Sequence, residues 1–258
     1  MPLHIVERRR ERLRELIRTD GFVAVTELSR QLGVSTGTVR RDLAVASALG
    51  HLTRTRGGAF ADYTTTFASH RQRAQWARTA KDRIARAALA QLPRSGVVFL
   101  DAGTTVQSLA RHMLRRRSFS GLTVVTNSLP VASILGGARG IQLHMLGGIF
   151  LHRQAMLLVS QSVPALADWK FDAAFLGGEG MDAAGVTNSN AKIASFQQAV
   201  LLCTRRAFFC MDATKLGRAT PHHVTVWTPS VTLVSDAPRS ALVSAGVTLP
   251  SRQLVSAR

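Results

Sequence analysis

The chain is 258 residues long, 46% hydrophobic, and carries Lys+Arg 33 against Asp+Glu 15, a formal net charge of +18. That length suits one small module plus one medium domain with a real core, and no apolar run approaches the roughly 18 residues of a membrane-spanning helix. The arginines and glutamates of Met1–Arg14 argue against a secretory leader, and two cysteines, Cys203 and Cys210, with no CxxC or Cys/His cluster, argue against zinc.

A cytoplasmic protein without metal or cofactor is therefore expected. A basic excess of this size favours a polyanionic partner. It is spread along the chain, with 14 Lys+Arg against 7 Asp+Glu in residues 1–80 and 19 against 8 in residues 81–258. Motifs, not charge, must locate a nucleic-acid site.

From Ile5 to Ile17 the apolar positions Ile5, Val6, Leu13, Leu16 and Ile17 fall at helical spacing, and Gly21 ends the helix. Phe22–Val25 is short and β-prone. Thr26 is expected to cap a second helix whose apolar face is Leu28 and Leu32 and which Gly33 closes. Ser35 caps a third, Thr36–Leu49, ended by Gly50. Two short helices separated by Leu32-Gly33-Val34-Ser35 make a helix-turn-helix whose second helix enters a major groove. Its outward face carries Thr36, Thr38, Arg40 and Arg41; arginine donates two hydrogen bonds to guanine, and short hydroxyls reach phosphates or base edges. Val39 and Leu43 face the core. Gly37 costs roughly 1 kcal/mol against alanine inside a helix, and close backbone approach to DNA is one reason to keep it. The stretch His51–Phe60 turns at Arg56-Gly57-Gly58 and reads as a wing hairpin, with Arg54 and Arg56 set to meet a DNA backbone or minor groove.

Residues 5–60 resemble the DNA-binding domain of the DeoR family of repressors, through Leu32-Gly33-Val34-Ser35, Thr38-Val39-Arg40-Arg41-Asp42-Leu43 and Arg56-Gly57-Gly58-Ala59. The resemblance implies Arg40, Arg41 and the wing at an operator of double-stranded DNA. Where that family has acidic and leucine residues after Asp42-Leu43, this chain has Ala44-Val45-Ala46-Ser47-Ala48. Less negative charge beside DNA predicts stronger non-specific, salt-sensitive binding.

Residues 61–80 are polar and poor in aliphatics, an expected connector that is partly helical. Lys81–Leu92 is amphipathic through Ile84, Ala88, Leu89 and Leu92 and stops at Pro93. Beyond it, β-prone runs at Val97–Leu100, Leu122–Val125, Ile141–Leu146, Ala173–Leu176, Ala207–Met211 and Thr232–Val234 alternate with helical stretches at Thr105–Leu114, Leu129–Leu135 and Ala191–Thr204. The alternation predicts a Rossmann-like, mostly parallel α/β sheet that binds ligands where strand ends meet helix starts. Those ends are small and polar: Asp101, Gly103, Thr104 and Thr105; Asn127 and Ser128; Gly147 and Gly148; and Gly178 and Glu179 in a glycine-rich loop running to Asp182. Free N–H groups at a helix start favour an anion, and Lys215, after the strand ending at Met211-Asp212, adds a cation. Plain turns and a surface lysine are the alternative for each taken singly. These residues form the expected effector site of a domain spanning 81–258, after a DNA-binding domain at 1–60 and the 61–80 connector.

Residues 76–236 resemble the DeoR-family sensor domain, itself similar to ribose-5-phosphate isomerase, through Asp101–Thr105, Val125–Pro130, Leu146–Gly148, Phe171–Gly177 and Asp212–Gly217. The resemblance implies a phosphorylated sugar or sugar derivative as inducer. Departures lie at Gln154, Ala155 and Val159, where the family has Ser and Gly, and at Lys192, Ile193 and Gln197, where it carries acids and a lysine. The expected function is a transcriptional regulator, a repressor relieved by a phosphorylated effector and working as a homodimer or homotetramer. An isomerase-like enzyme with an added DNA-binding domain is the alternative. Its base would come from Asp101, Glu179, Asp182 or Asp212, Glu179 being best placed, but the carboxylate and lysine drawn by the related isomerases are missing at 192–197. An activator or nucleoid protein that ignores metabolites is a third reading.

Overall fold

The structure, a computed structural model, describes residues 3–20, 22–48, 52–54, 58–61, 69–116, 119–159 and 165–257. The chain divides into two compact units, Met1–Ser69 and His70–Arg258. No helix among the described residues is long and apolar enough to cross a membrane.

The first unit holds α1 (Leu3–Asp20), β1 (Phe22–Ala24), α2 (Val25–Leu32), α3 (Thr36–Ala48), β2 (Leu52–Arg54) and β3 (Gly58–Ala61). Leu13, Ile17, Val23, Val25, Leu28, Val39, Leu43 and Ala46 make its core. Gly33 adopts a left-handed conformation at φ 63° and closes α2, its N–H donating to Ser29 O. Thr26 does not cap that helix: α2 starts at Val25 with Ala24 in the cap position, two residues earlier than expected, and no side chain caps it. Apolar Val25 is buried at the first helical position, so packing, not a hydroxyl, fixes the start. The strands pair antiparallel in the order β1-β3-β2, with Phe22 opposite Phe60 and Arg54 opposite Ala59. Gly21, Leu49, Gly50 and the wing tip with Arg56 lie outside the described residues.

The second unit opens with α4 (His70–Gln75) and α5 (Arg78–Gln91), the latter starting three residues before Lys81. There follow β4 (Gly96–Leu100), α6 (Thr104–Arg115), β5 (Leu122–Thr126), α7 (Leu129–Leu135) and β6 (Ile141–Met145). Then come a hairpin, β7 (Ile149–Leu151) and β8 (Met156–Leu158), β9 (Ala173–Leu176), β10 (Gly180–Asp182), β11 (Gly185–Asn188) and α8 (Ala191–Leu202). The chain finishes with β12 (Ala207–Cys210), a 3-10 turn (Ala213–Lys215), β13 (His222–Thr225), β14 (Val231–Ser235), α9 (Arg239–Ser244) and β15 (Leu254–Ser256).

Seven strands form one sheet in the order β15-β14-β12-β9-β4-β5-β6, and every pairing is parallel. Strand alternation divides the core. Val98 and Leu100 pack with Ile84, Ala88, Val106, Leu109 and Val131 from α5, α6 and α7. Phe99 turns the other way, its ring 5.5 Å from Phe171 and 5.9 Å from Phe196 of α8. A second, antiparallel sheet, β10-β11-β13, includes Gly180–Asp182, where the glycine-rich sequence predicts a loop.

Candidate functional site

In the first unit, the outward face of α3 is the candidate nucleic-acid interface. Ser35 Oγ accepts from Thr38 N (3.2 Å) and pairs with Thr38 Oγ1 (3.1 Å), so both hydroxyls help to cap α3. Thr36 is half-buried and Arg40 and Arg41 are exposed; Arg41 Nε donates to Gly37 O at 3.5 Å. A Cβ on Gly37 would meet nothing nearer than Ser35 Oγ at 3.8 Å. The unit's own packing therefore gives no reason for glycine there. Behind this face, the buried carboxylate of Asp42 accepts from Arg9 Nε (2.7 Å) and Arg10 Nε (2.9 Å) of α1. Burial works to raise the Asp42 pKa, but the hydrogen bonds from the two arginines prevail and hold it lowered. The pair ties α3 to α1. Of the expected wing arginines, Arg54 lies in β2 and Arg56 is outside the described residues.

In the second unit the ends of β4, β5 and β9 are knitted together. Asp101 is buried; its Oδ1 accepts from Ala102 N (2.8 Å) and its Oδ2 from Gly177 N (3.2 Å) and Gln197 Nε2 (2.7 Å). Burial pushes its pKa up, against these hydrogen bonds and the charge of Arg73. Gln197, fully enclosed on α8, donates its second amide hydrogen to Gly177 O (2.8 Å). Beside them Thr104 and Thr105 begin α6, buried behind Gly103, which caps the helix without any side-chain bond. The first N–H groups of α6 and both hydroxyls have no protein partner among the described residues, the arrangement that suits an anion.

Asn127 has no exposed surface, and neither its amide oxygen nor its nitrogen finds a hydrogen-bond partner among the described residues. Its neighbours in Thr126-Asn127-Ser128 are engaged: Thr126 Oγ1 donates to Leu100 O (2.6 Å), and Ser128 Oγ caps α7 by accepting from Val131 N (3.3 Å).

Cations gather on the same side. Burial lowers the pKa of Lys215, with Asp212 and Glu179 acting against the shift and Arg218 and Arg73 adding to it. Its ammonium makes no hydrogen bond or ion pair among the described residues. Lys81, which the sequence reading took only as the start of a helix, is buried and held at a pKa of about 8 by desolvation, within reach of the charges of Asp212, Lys215 and Arg73. Its Nζ donates to Arg73 O (2.5 Å) and Trp76 O (2.7 Å), closing the end of α4.

Other expected site residues have local tasks. Gly148 sits at φ 137°, and a Cβ there would come within 2.3 Å of Leu158 O, so the β7–β8 hairpin needs that glycine; Gly147 beside it is exposed. A Cβ on Gly178 would strike Val186 and Met211. Glu179 Oε2 accepts from Ser189 N (2.9 Å), Asp182 from Ala184 N (2.8 Å) and Asp212 from Thr214 N (3.0 Å). Each of these three carboxylates is thus tied to a backbone turn.

Sequence reasoning missed Gln197 as a site residue, noting it only as a departure, and missed Lys81 and Arg73. The polar Arg-Gln run at 71–73 was the available signal, but nothing local says that α4 belongs to this unit.

Comparison with known proteins adds two family matches: a DeoR-like helix-turn-helix domain over residues 9–65 and a DeoR C terminal sensor domain over residues 76–237. The chain is 31% identical to the lactose phosphotransferase system repressor of Streptococcus mutans serotype c (strain ATCC 700610 / UA159), over 82% of this chain and 84% of that protein. It is 27% identical to the glycerol-3-phosphate regulon repressor of Escherichia coli (strain K12), over 79% of this chain and 80% of that one. Ribose 5-phosphate isomerase A from Methanocaldococcus jannaschii aligns with 15% identity and a TM-score of 0.40, over 55% of this chain and 57% of the isomerase. The matched curated relatives named here are repressors, not enzymes.

Proposed function

This chain belongs to the DeoR family of transcriptional regulators, and from that membership we propose that it is a repressor of sugar-related genes released from its operator by a phosphorylated, sugar-like effector. The outward face of α3, with Gly37, Arg40 and Arg41, reads the major groove, and the β2–β3 wing contacts the backbone. The effector phosphate sits at the start of α6 against Thr104 and Thr105 with Lys215 as its cation, while Asp101, Gly103 and Asn127 face the sugar part. A homodimer or homotetramer sets two reading helices on half-sites about one helical turn apart, or a multiple of that.

One observation carries the sensing half of this reading. Asn127 is fully enclosed with both amide atoms unpartnered among the described residues, a cost of about 1–3 kcal/mol per group unless something bonds to it. It stands at the end of β5 with its own backbone carbonyl taken by Leu157 N, and since the amide has no exposed surface, a ligand bonds to it by displacing the segment that encloses it. Effector binding needs to favour the DNA-incompetent state by only about 1–3 kcal/mol to give a 5- to 150-fold switch.

Fluorescence anisotropy on DNA from upstream of the gene, with a scrambled duplex as control, at two salt concentrations, tests the proposal. A preference of about a thousandfold or more for the upstream DNA is expected, with release by a phosphorylated sugar. Equal, steeply salt-dependent binding to both duplexes counts against a specific regulator of that promoter. Specific binding that no phosphorylated sugar relieves counts against the effector class.

A further inference from the structure

The β7–β8 hairpin joins neither of the larger sheets. Its inner strand is anchored: Met156 and Leu158 are buried, Leu157 N donates to Asn127 O (2.8 Å), and Met156 bridges to Ser128. Its outer strand is bare. Ile149 is 61% exposed and Phe150 45%, and adjacent strand residues point to opposite faces, so neither face of β7 is covered. A two-stranded ribbon is marginal in water, and an apolar open strand is a ready template for another chain. Two neighbouring segments add to the apolar surface: Met145 ends the edge strand β6, and Leu129, whose N–H donates to Ala155 O in the hairpin turn, begins α7, both side chains exposed.

We propose that this open strand, with Ile149 on one of its faces and Phe150 on the other and Met145 and Leu129 on the segments beside it, is where two copies of the chain meet. Charge selects the occupant. Residues 140–152 contain no Asp, Glu, Lys or Arg, in a chain whose net charge is +18. Two copies repel wherever their basic surfaces face one another, and a charge-free apolar stretch is where that repulsion is weakest. The hairpin's own cation, Arg153, sits half-buried at the turn and not on β7, so an acidic partner finds no cation along that strand to hold it. A two-fold contact sets the same patch against itself, which an uncharged apolar surface tolerates and a basic one does not.

The position of the hairpin gives the contact a further use. Its turn holds the start of α4, with His70 N donating to Arg153 O (2.7 Å), and α4 is where the chain enters this unit from the DNA-binding one. The interface, the effector loop Asn127–Ser128 and the chain's point of entry thus hang on one ten-residue hairpin. From the proposed function this inference takes only that the chain works as an oligomer.

Sedimentation velocity on the full chain tests it, comparing the wild type with Ile149→Glu, Phe150→Glu and a control, Leu202→Glu, whose residue is 81% exposed at the end of α8. The expected result is an oligomeric wild type and control, with both hairpin variants at half the mass and with unchanged circular dichroism. Hairpin variants that keep the wild-type mass overturn the inference and leave the oligomer intact, whereas a monomeric wild type overturns both. Should the glutamates prevent folding, hydrogen exchange on the wild type decides. Protection of residues 149–158 that rises with protein concentration supports a second copy. Protection at every concentration assigns the cover to the chain's own body, and no protection leaves the face open; either overturns the inference.

Discussion

Asp101 and Gln197, 96 positions apart, are joined by a 2.7 Å hydrogen bond from Gln197 Nε2 to Asp101 Oδ2. The same amide donates to Gly177 O, and Asn188 Nδ2 donates to Gln197 Oε1 (3.4 Å). A neutral residue thus satisfies a buried carboxylate at the floor of the proposed effector site and braces α8 against the ends of β4 and β9. Gln197→Leu leaves Asp101 Oδ2 and Gly177 O short of a donor and is expected to lower stability by about 1–3 kcal/mol. Chemical denaturation measures that loss; an unchanged midpoint would show that water replaces the amide without penalty.

Thr104→Val keeps the shape of the α6 start but removes a hydroxyl. Operator affinity should stay within twofold of wild type, while the effector concentration for half-release rises about tenfold or more, as the loss of one hydrogen bond to a charged group predicts. Lys215→Met should act in the same direction. Titrating effector into the pre-formed DNA complex separates the two quantities, and unchanged release in both variants would move the phosphate elsewhere.

Gly37→Ala pits the helix against the groove. Alanine is the better helix former by about 1 kcal/mol, and a Cβ meets nothing closer than 3.8 Å, so the melting temperature of the DNA-binding unit should rise. Operator affinity should fall if the α3 backbone lies against DNA. Arg40→Ala is expected to cost about 1–3 kcal/mol on the operator; equal losses on operator and scrambled duplex would make Arg40 a phosphate contact.

Asp42→Asn removes the charge that holds Arg9 and Arg10. Breaking a buried pair costs about 3–5 kcal/mol, and the partial exposure of Arg10 puts this one at about 3 kcal/mol. Because the folded pKa of Asp42 is lowered, its contribution is present above the ordinary carboxylate range. It fades as pH falls through the folded value. Acid melts of the first unit should show the wild type losing this advantage over the variant only below that range.

His70 is enclosed at the start of α4, its Nε2 without a hydrogen-bond partner among the described residues, and burial with the charges of Arg73, Lys81 and Arg111 lowers its pKa to about 4. The unfolded imidazole takes a proton nearer 6.5. Its contribution is therefore complete above pH 6.5 and shrinks as pH falls from there through about 4. Between pH 7 and 5 the second unit should lose about 2 kcal/mol through this group, and His70→Phe should flatten that part of the profile.

Six strands of the parallel sheet were legible because each is a short apolar run, and buried parallel strands need little else. The seventh, β15, is only Leu254-Val255-Ser256 at the sheet edge, too short to stand out. The stretch Gly180–Asp182 reads as loop because its glycine hides a strand that exists only by pairing with Val186 and Thr187. The start of α6, where the proposal puts the effector phosphate, was visible as Asp101-Ala102-Gly103-Thr104-Thr105. Gln197 was visible only as a residue out of keeping with the family, since its bond to Asp101 is made by the fold. Lys81 carries no local signature and Arg73 only a polar run around it; their relation to Lys215 depends on where α4 packs.

The strand order also sets a timetable for synthesis. The DNA-binding unit is built from contacts within residues 3–61, whereas the parallel sheet draws its strands from residue 96 to residue 256, with β9 inserted beside β4. At a translation rate of 5–20 residues per second, about 10–40 s separate the emergence of the two. During that interval a nascent chain presents a finished reading head with no finished sensor, so its hold on DNA answers to salt and sequence but not yet to metabolism.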